Sequence, residues 1–203
     1  ELAKKYEFSN DSLSIIFYLR TDVKWHDGEK FTADDVVFTY QLQTNEKIAW
    51  DGISFKQNIS RVIAMNDSTV RFEFSRRTPF MIMDAVEGVL LPKHILESIP
   101  VSELYNSDFA HHPIGTGPYQ VHEWVPQQYI VMKKNNAYFV PDKPNIETIL
   151  FKIIPESYVL TSQLLAGEID IINDIPAGYI KTLNIEPNSV TLKRYAGKDY
   201  DFI

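Results

Sequence analysis

Ser14-Ile15-Ile16-Phe17-Tyr18-Leu19-Arg20, Thr21-Asp22-Val23-Lys24-Trp25-His26-Asp27-Gly28 and Glu29-Lys30-Phe31-Thr32-Ala33-Asp34-Asp35-Val36-Val37-Phe38 follow one another without a break. They read as a strand, a turn and the start of a helix. β-Branched and aromatic side chains fill residues 14–19, the composition of a strand. Asn10-Asp11-Ser12 ahead of them reads as a turn. Asp27-Gly28 offers a residue at ease with positive φ, so a hairpin turn is expected there, with the His26 imidazole on its surface. Thr32 has an acidic residue three positions on, the spacing of a capping box, and Asp34 and Asp35 suit the positive end of a helix dipole. Val36, Val37 and Tyr40 then share one helical face.

Beyond this stretch, residues 45–57 lose periodicity and read as a long loop. Strands are expected at 60–64 and 70–74 around Asn66-Asp67-Ser68, the second with Val70, Phe72 and Phe74 on a buried face. Short helices are expected over 79–86 and 92–97, and another near Val101. Pro113-Ile114-Gly115-Thr116-Gly117-Pro118 is the sharpest punctuation in the chain and marks a subdomain boundary, dividing it into residues 1–112 and 113–203. A hairpin is expected over 119–124 and 129–133. The apolar run 146–154 reads as a strand covered on both faces. A helix over 156–166 closes at Gly167, followed by a buried strand at 168–173, a helix at 176–183 and a strand at 189–194. This alternation makes the fold class α/β, mixed with the α+β character of the first part.

The chain's 203 residues carry 20 basic and 27 acidic side chains, a net charge of -7, which disfavours nucleic acid as a partner. Cysteine is absent, so disulfides, thiolate metal sites and thiol nucleophiles are excluded. No phosphate loop, His-Glu-x-x-His or Gly-x-Ser-x-Gly occurs, and Gly115-Thr116-Gly117 is too short for a dinucleotide fingerprint. No catalytic residue, metal ligand or cofactor is assigned. An acid–base enzyme would have to use His26/Asp27 or Asp34/Asp35, yet a turn and a helix cap account for both pairs. Adjacent His111-His112 in an extended segment would point to opposite sides, so a solvent-exposed pair is expected. Trp50 and Phe55 lie in the unpatterned loop, where large aromatics either line a pocket or pack the loop onto its own domain.

Three blocks carry a resemblance. The first is Phe17–Arg20 with Val23–Gly28 and Phe31–Phe38. The second is Pro113–Tyr119 with Glu123-Trp124 and Asn135–Phe139. The third is Ile154-Pro155-Glu156 with Leu164 and Gly167-Glu168-Ile169-Asp170. Together they resemble the extracytoplasmic solute-binding proteins of peptide/nickel-type ABC importers (family 5), nearly end to end.

The resemblance implies a periplasmic-binding-protein-like class II lobe with an additional α+β subdomain, incomplete, with the second lobe absent. Residues 1–112 would be the extra subdomain, and 113–203 part of the ligand-binding lobe. It implies capture of peptides, or of nickel complexes, oligosaccharides or another small solute, outside the cytoplasmic membrane, and delivery to a permease. Membrane contact would come only through an anchor or that permease. By position, Asn173, Asp174 and Ile175 would face the cleft, at a strand end and a helix start where ligands favour binding. Asn173 is the best contact, through its amide, while Asp174 also fits a plain N-cap.

Overall fold

The computed structural model describes residues 1–172 together with Gly178. The expected helix over 176–183, apart from Gly178, and the strand over 189–194 therefore lie outside the described residues, as do Asn173, Asp174 and Ile175. The chain divides into two compact units, one of residues 1–125 and 130–151, the other of residues 126–129 and 152–203.

The first unit is built on an antiparallel sheet of β1 (Ala3–Phe8), β2 (Ser14–Leu19), β3 (Ile59–Asn66) and β4 (Thr69–Phe74), in the order β1-β2-β4-β3. Ile15, Phe17 and Leu19 are buried and alternate with the half-buried Ser14, Ile16 and Tyr18; Val70, Phe72 and Phe74 are buried likewise. Register sets Phe17 opposite Val70 and Ile15 opposite Phe72. The Phe17 and Phe72 rings meet edge to face at 5.5 Å. The period-2 pattern therefore fixed which side of this sheet is dry.

β1 is a strand that the sequence reading misses. Its residues beyond Ala3 are exposed, Tyr6 at 48% and Phe8 at 46%, so it is held by backbone pairing with β2 and not by a buried face. An edge strand without a dry side carries no alternation to read.

Between β2 and β3 run the Asp-Gly turn, α1 (Ala33–Gln43) and α2 (Ile53–Lys56). Gly28 adopts φ +94°, and the turn closes through Trp25 N–H to Glu29 O at 2.8 Å. Trp25, Phe31, Ala33 and Val36 enter the sheet's core. α2 corrects the expectation of a loop over 45–57: a single helical turn has no periodicity to display. Helices α3 (Met81–Val86) and α4 (Lys93–Leu96), a 3-10 turn over 101–106 and α5 (Asp108–His111) follow. α5 corrects the extended reading of the histidine pair. His112 Nδ1 lies 3.0 Å from Asp108 one turn back, and both side chains are exposed.

β5 (Tyr119–Val125), β6 (Tyr129–Lys134) and β7 (Thr148–Lys152) form a three-stranded sheet in that order. The hairpin β5–β6 matches the sequence reading. β7 lies inside the expected strand, but its two-sided burial does not hold: Ile146 is 60% exposed, Leu150 49% and Phe151 51%. A continuous apolar run marks a strand that needs cover, and among the described residues these side chains have little.

In the second unit, α6 (Ser157–Leu165) ends as expected at Gly167. Glu168 N–H donates to Gln163 O at 2.9 Å and Gly167 N–H to Leu164 O at 3.1 Å, the paired closure of a Schellman motif. The buried strand expected from residue 168 is absent over 168–172, and Ile171 is 77% exposed. Three isoleucines, Ile169, Ile171 and Ile172, in so short a run were too little to separate strand from connection.

Candidate functional site

The four residues that an acid–base enzyme would use are drawn into separate structural tasks. His26 is not a surface imidazole. It is half-buried, its Nδ1 accepts from Gly115 N–H at 3.0 Å and its Nε2 donates to Gly117 O at 3.1 Å. Its own N–H donates to Gly115 O at 2.9 Å. Asn135, also buried, donates its side-chain amide to the same Gly117 carbonyl at 3.0 Å. His26 and Asn135 thus grip the Gly115-Thr116-Gly117 segment from two sides. The sequence could not announce this, because the partners lie about ninety positions apart.

Asp27 turns away from His26 and meets His94 Nε2 at 2.7 Å. Burial pushes the Asp27 carboxyl up, but the His94 and Glu29 N–H hydrogen bonds outweigh it and hold the group below the usual carboxylate range. Asp34 is exposed and pairs with Lys93 at 3.0 Å. Asp35 is 4% exposed and accepts from three donors: Thr32 N–H at 2.9 Å, Lys93 N–H at 3.0 Å and Trp25 Nε1–H at 3.4 Å. The acidic half of the expected capping box is therefore in place, and it reaches well beyond its own helix.

The His26 geometry carries a pH prediction. Burial holds the imidazole below its ordinary 6.5, against the opposing pull of the Gly117 bond and Asp27. The unfolded chain therefore takes up a proton first as pH falls. Stability from His26 is complete above about pH 6.5 and declines as pH drops towards the lower folded value. His26→Leu should cost roughly 2 kcal/mol at neutral pH, by orphaning Gly115 N–H and leaving Gly117 O to Asn135 alone. The same variant should flatten the melting-temperature slope between pH 7.5 and 5. A slope unchanged by it would place the titrating group elsewhere.

The first unit holds a cavity of about 920 Å³. One wall is the dry side of β2 and β4, with Phe17, Leu19, Val70 and Phe72. A second is α1, with Val36, Thr39, Tyr40 and Gln43, and a third is α3 with the turn that follows it, residues 87–90. α1 packs across β3 and β4, which leaves the β1–β2 part of the same side open to this space.

Two polar groups that the sequence reading missed stand in the wall. Lys56, on the one-turn α2, is 4% exposed. Its ammonium donates to Asp84 O and Glu87 O at 2.8 Å each, and to Ala85 O at 3.4 Å. It thereby caps α3 and fixes the turn at Gly88, whose φ is +91°. Gln43 is 8% exposed and lies one heptad beyond Val36. A polar residue on the apolar stripe of α1 was the signal available for it; Lys56 had none.

Trp50 is half-buried and does not line the cavity itself. Its ring packs beside Gly52 and Gly88, with the Lys56 ammonium 5.6 Å from its centre. A Cβ on Gly88 would come within 2.8 Å of that ring and would collide with the Gln43 amide nitrogen. Trp50 therefore stands directly behind the cavity wall. Among the described residues, no group of three or more His, Cys, Asp or Glu could hold a metal.

The model for bacterial extracellular solute-binding proteins, family 5 middle, matches residues 1–203. The chain belongs to this family. As a family 5 solute-binding protein it is 33% identical, over 183 residues, to the oligopeptide-binding protein AppA of Bacillus subtilis, covering 89% of this chain and 33% of that one. It is 30% identical to the dipeptide-binding protein of Escherichia coli, over 84% of this chain and 35% of the relative. The solved structure of B. subtilis AppA in complex with a nonapeptide superposes with a TM-score of 0.84 over 93% of this chain and 37% of that one, at 32% identity. NikZ of Campylobacter jejuni in complex with Ni(L-His) gives 0.82 over the same shares, at 31% identity. The chain thus spans about a third of the length of the family 5 relatives it matches. The mixed helix-and-sheet fold expected from the sequence is the fold of these neighbours.

Proposed function

We propose that this chain is part of the substrate-binding component of an ABC importer, one that captures peptides outside the cytoplasmic membrane and hands them to a permease. The observation that carries this is the family match over residues 1–203, joined to oligopeptide- and dipeptide-binding relatives at 30–33% identity. The cavity supports it: about 920 Å³, mostly apolar walls and few polar groups is the character of a small-molecule site.

In this reading residues 1–112 form an extra subdomain of the first lobe and residues 113–203 belong to the ligand-binding lobe. Asn173, Asp174 and Ile175 face the ligand, and Trp50 backs its wall. The partners are a peptide and the membrane-spanning permease subunits. No described helix is long and apolar enough to cross a membrane, so membrane contact is assigned to an anchor or to the permease. The NikZ complex gives a second ligand class, a nickel–amino-acid chelate, taken up by the same transport role.

Calorimetry on the full-length protein with synthetic tri- to pentapeptides tests the reading. Micromolar or tighter binding is expected, with at most weak binding by residues 1–203 alone. Failure of every peptide, with Ni(L-His) binding instead, would move the protein to the second class.

A further inference from the structure

The imidazole of His26 is set between two backbone groups of opposite polarity. Its Nδ1 accepts from Gly115 N–H at 3.0 Å, and its Nε2 donates to Gly117 O at 3.1 Å. Only the neutral ring with its proton on Nε2 meets both. A second proton goes to Nδ1 and sets N–H against N–H, so the imidazolium cannot keep the Gly115 bond. The Gly117 bond survives that proton, and Asn135 holds the same carbonyl at 3.0 Å. Protonation therefore removes one of two attachments that lie two residues apart and leaves the other in place.

The charges around the ring decide how that proton is received. Asp27, next in the chain, favours it, while burial opposes it more strongly and keeps the ring neutral at pH 7. The Asp27 carboxylate is itself engaged by His94 of α4 at 2.7 Å and by Glu29 N–H at 3.1 Å. On the other side, residues 113–118 contain no ionisable side chain, Asn135 is neutral at any pH, and Lys134 beside it pairs with Glu147 at 3.4 Å. That side offers the imidazolium no carboxylate to replace the lost bond. We infer that His26 is a proton-operated clasp on the segment 113–118, releasing Gly115 in acid while Asn135 keeps Gly117 and the four-stranded sheet stays folded. The segment marks the passage from residues 1–112 to residues 113–203, and β5 starts at Tyr119, two positions past Gly117. Acid thus loosens the entry to β5 before anything else, whichever ligand the protein carries.

Hydrogen exchange on the full-length protein, corrected for the intrinsic pH dependence of exchange, tests this. Protection of the Gly115 amide should fall by about tenfold per pH unit below about 6.5, until the ring titrates in the closed form. At every pH it should stay below the protection of the β2 and β4 amides, because a local opening costs less than unfolding the unit. His26→Gln keeps a donor and an acceptor but cannot titrate, so its Gly115 protection should not change between pH 7.5 and 5. Long-range proton–nitrogen spectra of the wild-type ring at pH 7.5 supply a reading that needs no variant, and should show the proton on Nε2. A proton on Nδ1, or wild-type protection that ignores pH, would overturn the clasp. So would Gly115 protection equal to that of the sheet, which would mean that the contact opens only when the whole unit unfolds. An acid response that persists in His26→Gln would assign the titration to another group and overturn it too.

Discussion

Replacing Asp35 with alanine is expected to destabilise the first unit by roughly 3–5 kcal/mol, enough to unfold many domains of this size. The carboxylate is 4% exposed and holds three N–H groups from three places in the chain. Thr32 N–H is the first free donor of α1, Lys93 N–H that of α4, and Trp25 Nε1–H belongs to the hairpin turn. Alanine would leave all three without an acceptor in a dry site, and the cost of an orphaned buried donor is what makes the loss large. Asp35→Asn should fall between, since one amide oxygen cannot serve both sides and its NH2 would face a donor. The neighbour supplies the control. Asp34 differs by one position and pairs with the same Lys93, but through an exposed ion pair, so Asp34→Ala should cost no more than about 0.5 kcal/mol. Urea denaturation of the three variants checks this. Equal losses for Asp34→Ala and Asp35→Ala would refute the assignment.

Lys56→Met is expected to cost about 2–4 kcal/mol at pH 7, since the carbonyls of Asp84, Ala85 and Glu87 lose a charged donor at the end of α3. Methionine keeps the stem, so packing loss is small and the effect reports the ammonium. Burial drives the Lys56 pKa down from 10.5 to about 8, against the pull of Glu87 and Asp84. Between those two values the unfolded chain binds a proton that the folded chain has released. Stability contributed by Lys56 therefore rises with pH across that window, and the gap between wild type and Lys56→Met should widen from pH 8 to 10. A gap that narrows over the same range would mean that the charged ammonium, and not burial, dominates at this position. Because Lys56 also sets the Gly88 turn against Trp50, the variant should shift Trp50 fluorescence even where the chain stays folded.

The candidate site was legible in part. The turn and helix start over 25–38 read locally as such, and their Trp25, Phe31, Ala33 and Val36 are core. Trp50 is singled out by being a large aromatic on an unpatterned segment, and it stands behind the cavity. Gln43 could have been found as the polar interruption on the stripe of Val36 and Tyr40. Lys56 could not, because its value comes from three carbonyls some thirty residues away. His26 was misplaced on the surface for the same reason: the partners that bury it are Gly115 and Gly117.

What the sequence determined by itself is what local rules encode. Alternation placed Val70, Phe72 and Phe74 on one side of a sheet. The Thr32 and Asp35 spacing opened α1, Asp27-Gly28 made a turn, and Gly167 closed α6. Each depends on residues within a few positions of one another, where backbone geometry and side-chain period act directly. Only the tertiary structure decided which of two adjacent aspartates is buried, which lysine loses its water, and that β1 joins an edge it does not need for burial. Those outcomes depend on donors and acceptors brought together from distant positions, and desolvation acts on the assembled neighbourhood, not on the residue type.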